Sequence, residues 1–439
     1  MHMRSRGSLA ALIFGCGCAA EPGASHTLTG AAGAPSIATA EGGNGGGAPS
    51  AASGSGGADG TGAVAGNSPP SGANSAGAAT TGGAPAIGGA PAIGGASAGG
   101  TPGDSMQTAG ADAGDSSSSA PGVRIVGRTA LGANNAVRFS WSGVSFHARF
   151  TGTQVSMNLN DSNNKNRFTV VVDASTPKIV STSGQATLSL ASGLASGTHE
   201  LLIWRNTEAG MGASEFAGLS SFGSGGALLA PPPAPDRRIE VIGDSLSAGA
   251  GVEGTSTACS PGIDAFTNNY LAYGSVAART VAADVVTIAW SGIGVYRSYS
   301  AGDPTMLQRY DYAIPNDKTA WDFAAYQPHV VVVNLGTNDF GAGNPGQPYV
   351  DAYVSFVKHV RSKYASASFI LIDMYGGDRL TALNNVVSAL KSGGESNVQT
   401  LSFSAVPNNN TACNQHPNVA AQNAMGGLLA ARLKSSLGW

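Results

Sequence analysis

The stretch Ile239-Glu240-Val241-Ile242-Gly243-Asp244-Ser245-Leu246-Ser247-Ala248-Gly249 decides how the second half of this chain is read. A β-branched run halted at Gly-Asp-Ser and followed by small residues in a helical pattern is a strand-turn-helix unit. Such a unit puts Ser245 at the carboxyl end of the first strand of an α/β sheet, the edge where these sheets take ligands. A serine there is a nucleophile if a base reaches its hydroxyl. It is only a helix cap if none does, because Ser and Asp both cap well. The stretch by itself supports both readings.

Downstream, strand-like runs at 239–242, 285–289, 330–335, 369–373 and 398–403 alternate with helical patterns near 270–282, 349–364, 380–391 and 419–437. Apolar strands interleaved with helices imply a parallel sheet covered on both faces. Three loops leave the same edge as Ser245: Trp290-Ser291-Gly292-Ile293-Gly294, Gly336-Thr337-Asn338-Asp339-Phe340 and Cys413-Asn414-Gln415-His416-Pro417-Asn418. Acyl transfer by a serine needs a base, and His416 stands before the last helix to supply it. It also needs donors aimed at the oxyanion, and the N–H of Ser245, the N–H of Gly292 and the Asn338 amide can serve. Gly292 has no side chain to obstruct the approach.

Upstream, residues 123–235 have another texture. Short β-rich runs at 137–141, 144–150, 155–159, 168–172, 186–190 and 199–204 are separated by turn residues, the pattern of a small β-sandwich. His147 and His199 each sit singly in such a run and read as structural. Pro231-Pro232-Pro233-Ala234-Pro235 marks a stiff boundary before the second domain, 236–439.

The first 122 residues differ again. Arg4 and Arg6 precede the short apolar run 9–14, a leader too short to span a membrane. Ile13-Phe14-Gly15-Cys16 is similar to a bacterial lipobox, which would make Cys16 a lipidated N-terminus after removal of a leader within 1–18; plain secretion is the alternative. Residues 19–122 are Gly, Ala, Ser, Thr and Pro with few exceptions and read as a disordered tether. Either way the mature chain leaves the cytoplasm, anchored at the cell surface or outer membrane, or secreted. A lipid anchor would be its one membrane contact.

Composition agrees. Of 439 residues, 11% are charged and 64 are Gly, too biased for one uniform globular chain. A net charge of -3 gives no reason to expect nucleic acid as a partner. The four cysteines show no metal-ligand spacing, so no structural zinc is expected.

Gly243-Asp244-Ser245-Leu246, Gly292, Gly336-Thr337-Asn338-Asp339 and His416-Pro417 follow one another as the blocks of the SGNH (GDSL) hydrolases do, and the chain resembles that family. Asn269-Tyr270-Leu271-Ala272-Tyr273-Gly274, the Gly292 segment and the preceding sandwich resemble carbohydrate esterase family 2 more narrowly. The resemblance implies a flavodoxin-like three-layer α/β domain with a parallel sheet, preceded by a small all-β jelly-roll or sandwich domain. It implies a serine esterase that deacetylates polysaccharide of the xylan or glucomannan type through an acetyl-enzyme, acting as a monomer without metal or cofactor. Ser245 would be the nucleophile, His416 the base, and Ser245, Gly292 and Asn338 the oxyanion donors. A peptidoglycan or lipid esterase, or a non-catalytic surface carbohydrate-binding protein, are the alternatives.

Many SGNH enzymes carry an Asp three residues before the histidine; here that position is Cys413. The resemblance implies a Ser–His dyad with a backbone carbonyl holding the ring. Asp373 is a lesser candidate for a distant orienter, and solvation at a strand end is its simpler role. Outside the cytoplasm Cys259 and Cys413 are expected to pair and tie the base loop down; two free thiols are the alternative. Asp339 is expected to order the Asn338 loop. Trp290, Tyr296, Trp321 and Phe340 could stack on sugars or fill the core.

Overall fold

The computed structural model describes residues 122–161, 163–184, 186–407 and 410–439. The leader, Cys16 and the tether lie outside the described residues.

The first domain is built from β1 (Val123–Val126), β2 (Thr129–Leu131), β3 (Val137–Phe139), β4 (Ser145–Gly152), β5 (Val155–Asp161), β6 (Arg167–Val172), β7 (Lys178–Ser181), β8 (Thr187–Ala191), β9 (Gly197–Arg205), β10 (Ser214–Ser220) and β11 (Ala227–Leu228). One sheet runs β3-β10-β5-β8 with β2 outside β3; the other runs β4-β9-β6-β7 with β1 and β11 against β4. Two Greek keys interleaved in this way make a jelly roll. Alternation drives it: Phe146, Ala148 and Phe150 of β4 and Val155, Met157 and Leu159 of β5 are buried between the sheets. Phe146 packs on Phe139 and Phe216, with ring centroids 5.1 and 4.6 Å apart. Each such buried side chain contributes about 1.5–3 kcal/mol. His147 and His199 are structural here, bonded to Ser145 and to Asp173.

The second domain carries β12 (Arg237–Gly243), α1 (Ser245–Ala248), α2 (Tyr273–Thr280), β13 (Ala283–Ala289), α3 (Met306–Arg309), β14 (Tyr312–Ile314), β15 (Thr319–Ala320), β16 (Val330–Asn334), α4 (Gln347–Lys363), β17 (Ser368–Asp373), α5 (Gly377–Ser392), β18 (Val398–Ser402) and α6 (Val419–Leu437). Its parallel sheet has the order β13-β12-β16-β17-β18. That is the flavodoxin-like order, whose switch point lies beside the first strand. Continuous apolar runs divide by pleat: Val330 and Val332 face α2 and α6, while Val331 and Val333 face α4 and α5.

The expected helix after Ser245 is one turn only. Gly249 takes the left-handed conformation at φ 74° and closes α1 after Ala248, so the chain turns out into a loop instead of covering the sheet.

Arginines of the sandwich reach across to acids of the second domain. Arg124 meets Asp284 at 2.7 Å, Arg167 meets Glu253 at 2.7 Å, and Arg138 pairs with Asp317. Arg128 and Glu240 are both fully buried, 3.2 Å apart, and the Tyr310 and Tyr364 hydroxyls donate to the same carboxylate at 2.6 and 2.9 Å. Glu240 thus has a reason to stand inside an apolar strand: its charge is paired with Arg128 of the neighbouring domain and hydrogen-bonded by two tyrosines of its own.

Candidate active site

Four chain segments meet at the carboxyl edge of the parallel sheet. Ser245 follows β12, Gly292 follows β13, Asn338 follows β16, and His416 stands just before α6.

The capping role considered for Ser245 falls to its neighbour. Asp244 is the N-cap of α1, its carboxylate accepting the Leu246 N–H at 3.0 Å. Ser245 is therefore the first helical residue, and its hydroxyl has no capping work. That hydroxyl makes no hydrogen bond among the described residues, and Ser245 is 8% exposed. In an enzyme without substrate, a long or absent nucleophile–base bond is common.

His416 sits in a tight turn. Asn414 and Gln415 both have positive φ, 53° and 58°, which curls the backbone back on itself. His416 Nδ1 then lies 3.2 Å from the Cys413 carbonyl and 3.1 Å from the Asn414 carbonyl. Both neighbours only accept, so Nδ1 carries the proton and Nε2 is left as the basic nitrogen. Burial lowers the histidine pKa below its ordinary value, and the two carbonyl bonds offset part of that shift. Asp373 does not orient this ring. It is buried and accepts from Ser402 Oγ at 2.5 Å and from the Gly376 N–H at 3.0 Å, neither solvated nor catalytic in placement.

Three ties hold the His416 turn to the segment after Ser245. A disulfide joins Cys259 to Cys413, with Cα atoms 5.1 Å apart. The Asn414 N–H donates to Thr257 O at 3.0 Å, and Gln422 of α6 donates to Leu246 O at 3.1 Å. Gly251 allows the approach: a Cβ there would lie 2.8 Å from the Cys413 carbonyl oxygen.

Asn338 links the loops that carry the expected donors. Neither the Ser245 N–H nor the Gly292 N–H reaches an acceptor among the described residues. Gly292 has φ 80°, a conformation that suits glycine. Asn338 Nδ2 donates to Ile293 O at 2.8 Å and lies 3.5 Å from Asp244, so its second hydrogen is only weakly held. Asp339 reaches beyond the Asn338 loop it was expected to order and holds the segment that follows Gly292. It accepts the N–H groups of Val295, Tyr296 and Arg297 at 3.1, 2.7 and 2.9 Å. Burial pushes the Asp244 carboxyl up to about 7.

The aromatics divide. Trp290 is covered by Arg309 at 3.8 Å, Trp321 has Arg128 at 5.9 Å, and Phe340 packs on Tyr349. Tyr296 is 41% exposed, and Tyr299, which sequence reasoning missed, is 77% exposed. The Tyr299 N–H donates to Gly292 O at 2.8 Å, which places this residue beside the donors. His329 and His359 are structural, bonded to Arg238 N and to Asp311.

Glu208 was also missed. This residue of the sandwich accepts from Ser291 N and Ser291 Oγ at 2.6 and 2.5 Å, one position before Gly292. No motif in the loop around it hinted at that reach. Trp290, Ser291, Gly292, Ile293, Ser298 and Arg309 help line a cavity of about 160 Å³.

Residues 125–232 match the carbohydrate esterase 2 N-terminal family, and residues 241–427 match the GDSL-like lipase/acylhydrolase family. The cellulase/esterase CelE of Acetivibrio thermocellus is 35% identical over 334 residues, covering 73% of this chain but only 40% of CelE. An acetylxylan esterase/glucomannan deacetylase of Cellvibrio japonicus is 30% identical over 316 residues, 68% of this chain and 86% of that protein. Among solved structures, a family two carbohydrate esterase from Clostridium thermocellum in complex with cellohexaose is 35% identical at a TM-score of 0.68. The match covers 72% of this chain and all of that one, 100%. With both of its domains matched in chain order, the chain belongs to carbohydrate esterase family 2.

Proposed function

We propose that this chain is an exported serine esterase that removes O-acetyl groups from polysaccharide of the xylan or glucomannan type. The observation that carries the reading is the His416 ring, held at Nδ1 by two backbone carbonyls so that Nε2 is left as the basic nitrogen, in a turn tied to the segment after Ser245.

In this mechanism Ser245 Oγ attacks the acetyl carbonyl carbon as His416 Nε2 takes its proton. The carbonyl oxygen becomes an oxyanion that accepts from the N–H groups of Ser245 and Gly292 and from Asn338 Nδ2. Collapse breaks the bond to the sugar oxygen, which receives the proton from His416. Water then attacks the acetyl-Ser245 ester with the same base, releasing acetate and restoring the serine. Loss of one oxyanion donor would slow the reaction about 100- to 1000-fold.

Three further points support the substrate class. Relatives carry the names acetylxylan esterase and glucomannan deacetylase. The small cavity beside Gly292 suits a short acyl group. The exposed faces of Tyr296 and Tyr299 suit a sugar ring. Export, and anchoring through Cys16, rest on the N-terminal segment alone. Acetate release compared across acetylated xylan, acetylated glucomannan, cellulose acetate and peptidoglycan tests the reading. Preference for the first two is expected, and release from peptidoglycan alone would overturn the substrate class.

A further inference from the structure

The loop that carries Gly292 is held from two sides. Behind it, Asp339 of the second domain gathers three backbone N–H groups. In front, the clamp comes from the sandwich: Glu208 Oε2 accepts the Ser291 N–H at 2.6 Å and Glu208 Oε1 accepts the Ser291 hydroxyl at 2.5 Å. Two charge-assisted bonds to one residue hold Ser291 by its N–H and its side chain, and the peptide that bears the Gly292 N–H starts at the carbonyl of that anchored residue.

Glu208 is itself held in place. Its loop joins β9 to β10, and its carbonyl accepts from the fully buried Arg205 at 3.3 Å. Arg205 also donates to Gly212 O at 2.6 Å and to Ser214 Oγ at 3.1 Å, and Ser214 donates to Asp161 at 3.2 Å. From the other domain, Asn316 Nδ2 donates to Ala209 O at 3.1 Å. The chain of bonds therefore runs from the sandwich core, through Glu208 and Ser291, to Gly292.

This arrangement is expensive for mere adhesion. The Glu208 carboxylate is buried, has no cationic partner among the described residues, and has Asp244 and Asp264 as its charged neighbours. Burial pushes its pKa up to about 7. A buried unpaired carboxylate opposes folding, so its retention calls for a local reason. We infer that Glu208 is a positioning residue that sets the Gly292 N–H for the developing oxyanion, so the β-sandwich completes the catalytic centre of the second domain. This rests on the esterase reading of Ser245, His416 and Gly292.

The test compares wild type, Glu208→Ala, Glu208→Gln, Ser291→Ala and Ser245→Ala, all in the full chain. Steady-state kinetics on p-nitrophenyl acetate and thermal unfolding are measured for each. Displacing a transition-state donor by about 1 Å costs roughly 100-fold in rate. Glu208→Ala should therefore lower kcat by about that factor with KM little changed, because the oxyanion exists only beyond the ground state. Glutamine can accept the Ser291 N–H and donate to its hydroxyl, so Glu208→Gln should restore most of kcat. Ser291→Ala keeps the backbone bond and loses the other, so an intermediate loss is expected, and it decides the matter if Glu208→Ala does not fold. Wild-type kcat in folded Glu208→Ala or in Ser291→Ala, or a Glu208→Gln enzyme as impaired as Glu208→Ala, would overturn the inference. If Ser245→Ala retains turnover, the esterase reading itself fails, a separate result.

Discussion

The imidazole Nδ1 of His416 lies 3.1 Å from the carbonyl oxygen of Asn414, a residue two positions back in the same turn. A neutral carbonyl here occupies the position a carboxylate would take to orient the ring. It sets the tautomer as a carboxylate does but stabilises the imidazolium less, because it carries no full charge. Burial then dominates and holds the histidine below its ordinary 6.5.

The pH dependence follows from that direction. A lowered pKa keeps the ring neutral, and able to accept a proton from Ser245, down to a more acid pH. Activity should be on its plateau by pH 7 and fall as pH drops through a midpoint below 6.5. Protonation of Glu208, near 7, still leaves it able to make two bonds to Ser291, as glutamine would, so that group should add no strong limb. A pH profile of kcat/KM checks this; a midpoint above 7 would contradict it.

The Cys259–Cys413 disulfide closes a sequence separation of 154 residues in the turn that carries His416. Replacing both cysteines by serine should reduce stability by up to about 4–5 kcal/mol on the chain-entropy account. It should also lower kcat, because the turn holding His416 loses one of its three ties. Urea unfolding and kinetics of the double variant give both readouts. Unchanged stability and kcat would show that the bridge anchors nothing.

Asp373→Ala should separate stability from catalysis. The carboxylate receives Ser402 Oγ and the Tyr375 and Gly376 N–H groups, bonds to a charged acceptor worth about 1.5–3 kcal/mol each. Thermal stability should fall while kcat/KM of the folded enzyme stays close to wild type. A collapse of kcat/KM with the fold intact would make Asp373 part of the machinery.

Much of this was legible in the sequence, for identifiable reasons. The parallel strands are long β-branched runs, and Val330 to Asn334 is buried along its whole length. The catalytic candidates fell at strand ends because Gly-Asp-Ser and Gly-Thr-Asn-Asp interrupt such runs. The sandwich was less complete. β10 pairs with both β3 and β5, yet reads Ser-Glu-Phe-Ala-Gly-Leu-Ser with a bulge near Gly218, and only Ser214 and Phe216 are buried. β7 is mostly exposed, so it carries no alternation to read. Glu208 and Tyr299 matter through what they touch across the fold or expose to solvent, and neither property has a local pattern.

Arg128 and Glu240 form the buried tie between the domains. Arg128→Ala leaves a buried, unpaired carboxylate and should cost about 3–5 kcal/mol. Arg128→Met combined with Glu240→Gln removes the stranded charge and should recover a large part of that loss. A double-mutant cycle by urea unfolding measures the coupling, and two additive losses would show that the pair does not interact.

In the proposed reaction the Ser245 hydroxyl and the His416 imidazole act at one acetyl carbonyl carbon while donors from separate loops hold its oxygen. Turnover of p-nitrophenyl acetate by Ser245→Ala tests it most directly. With the fold intact by circular dichroism, turnover is expected to fall to the background of an oxyanion hole without a nucleophile. Turnover equal to that of the unaltered chain would contradict it.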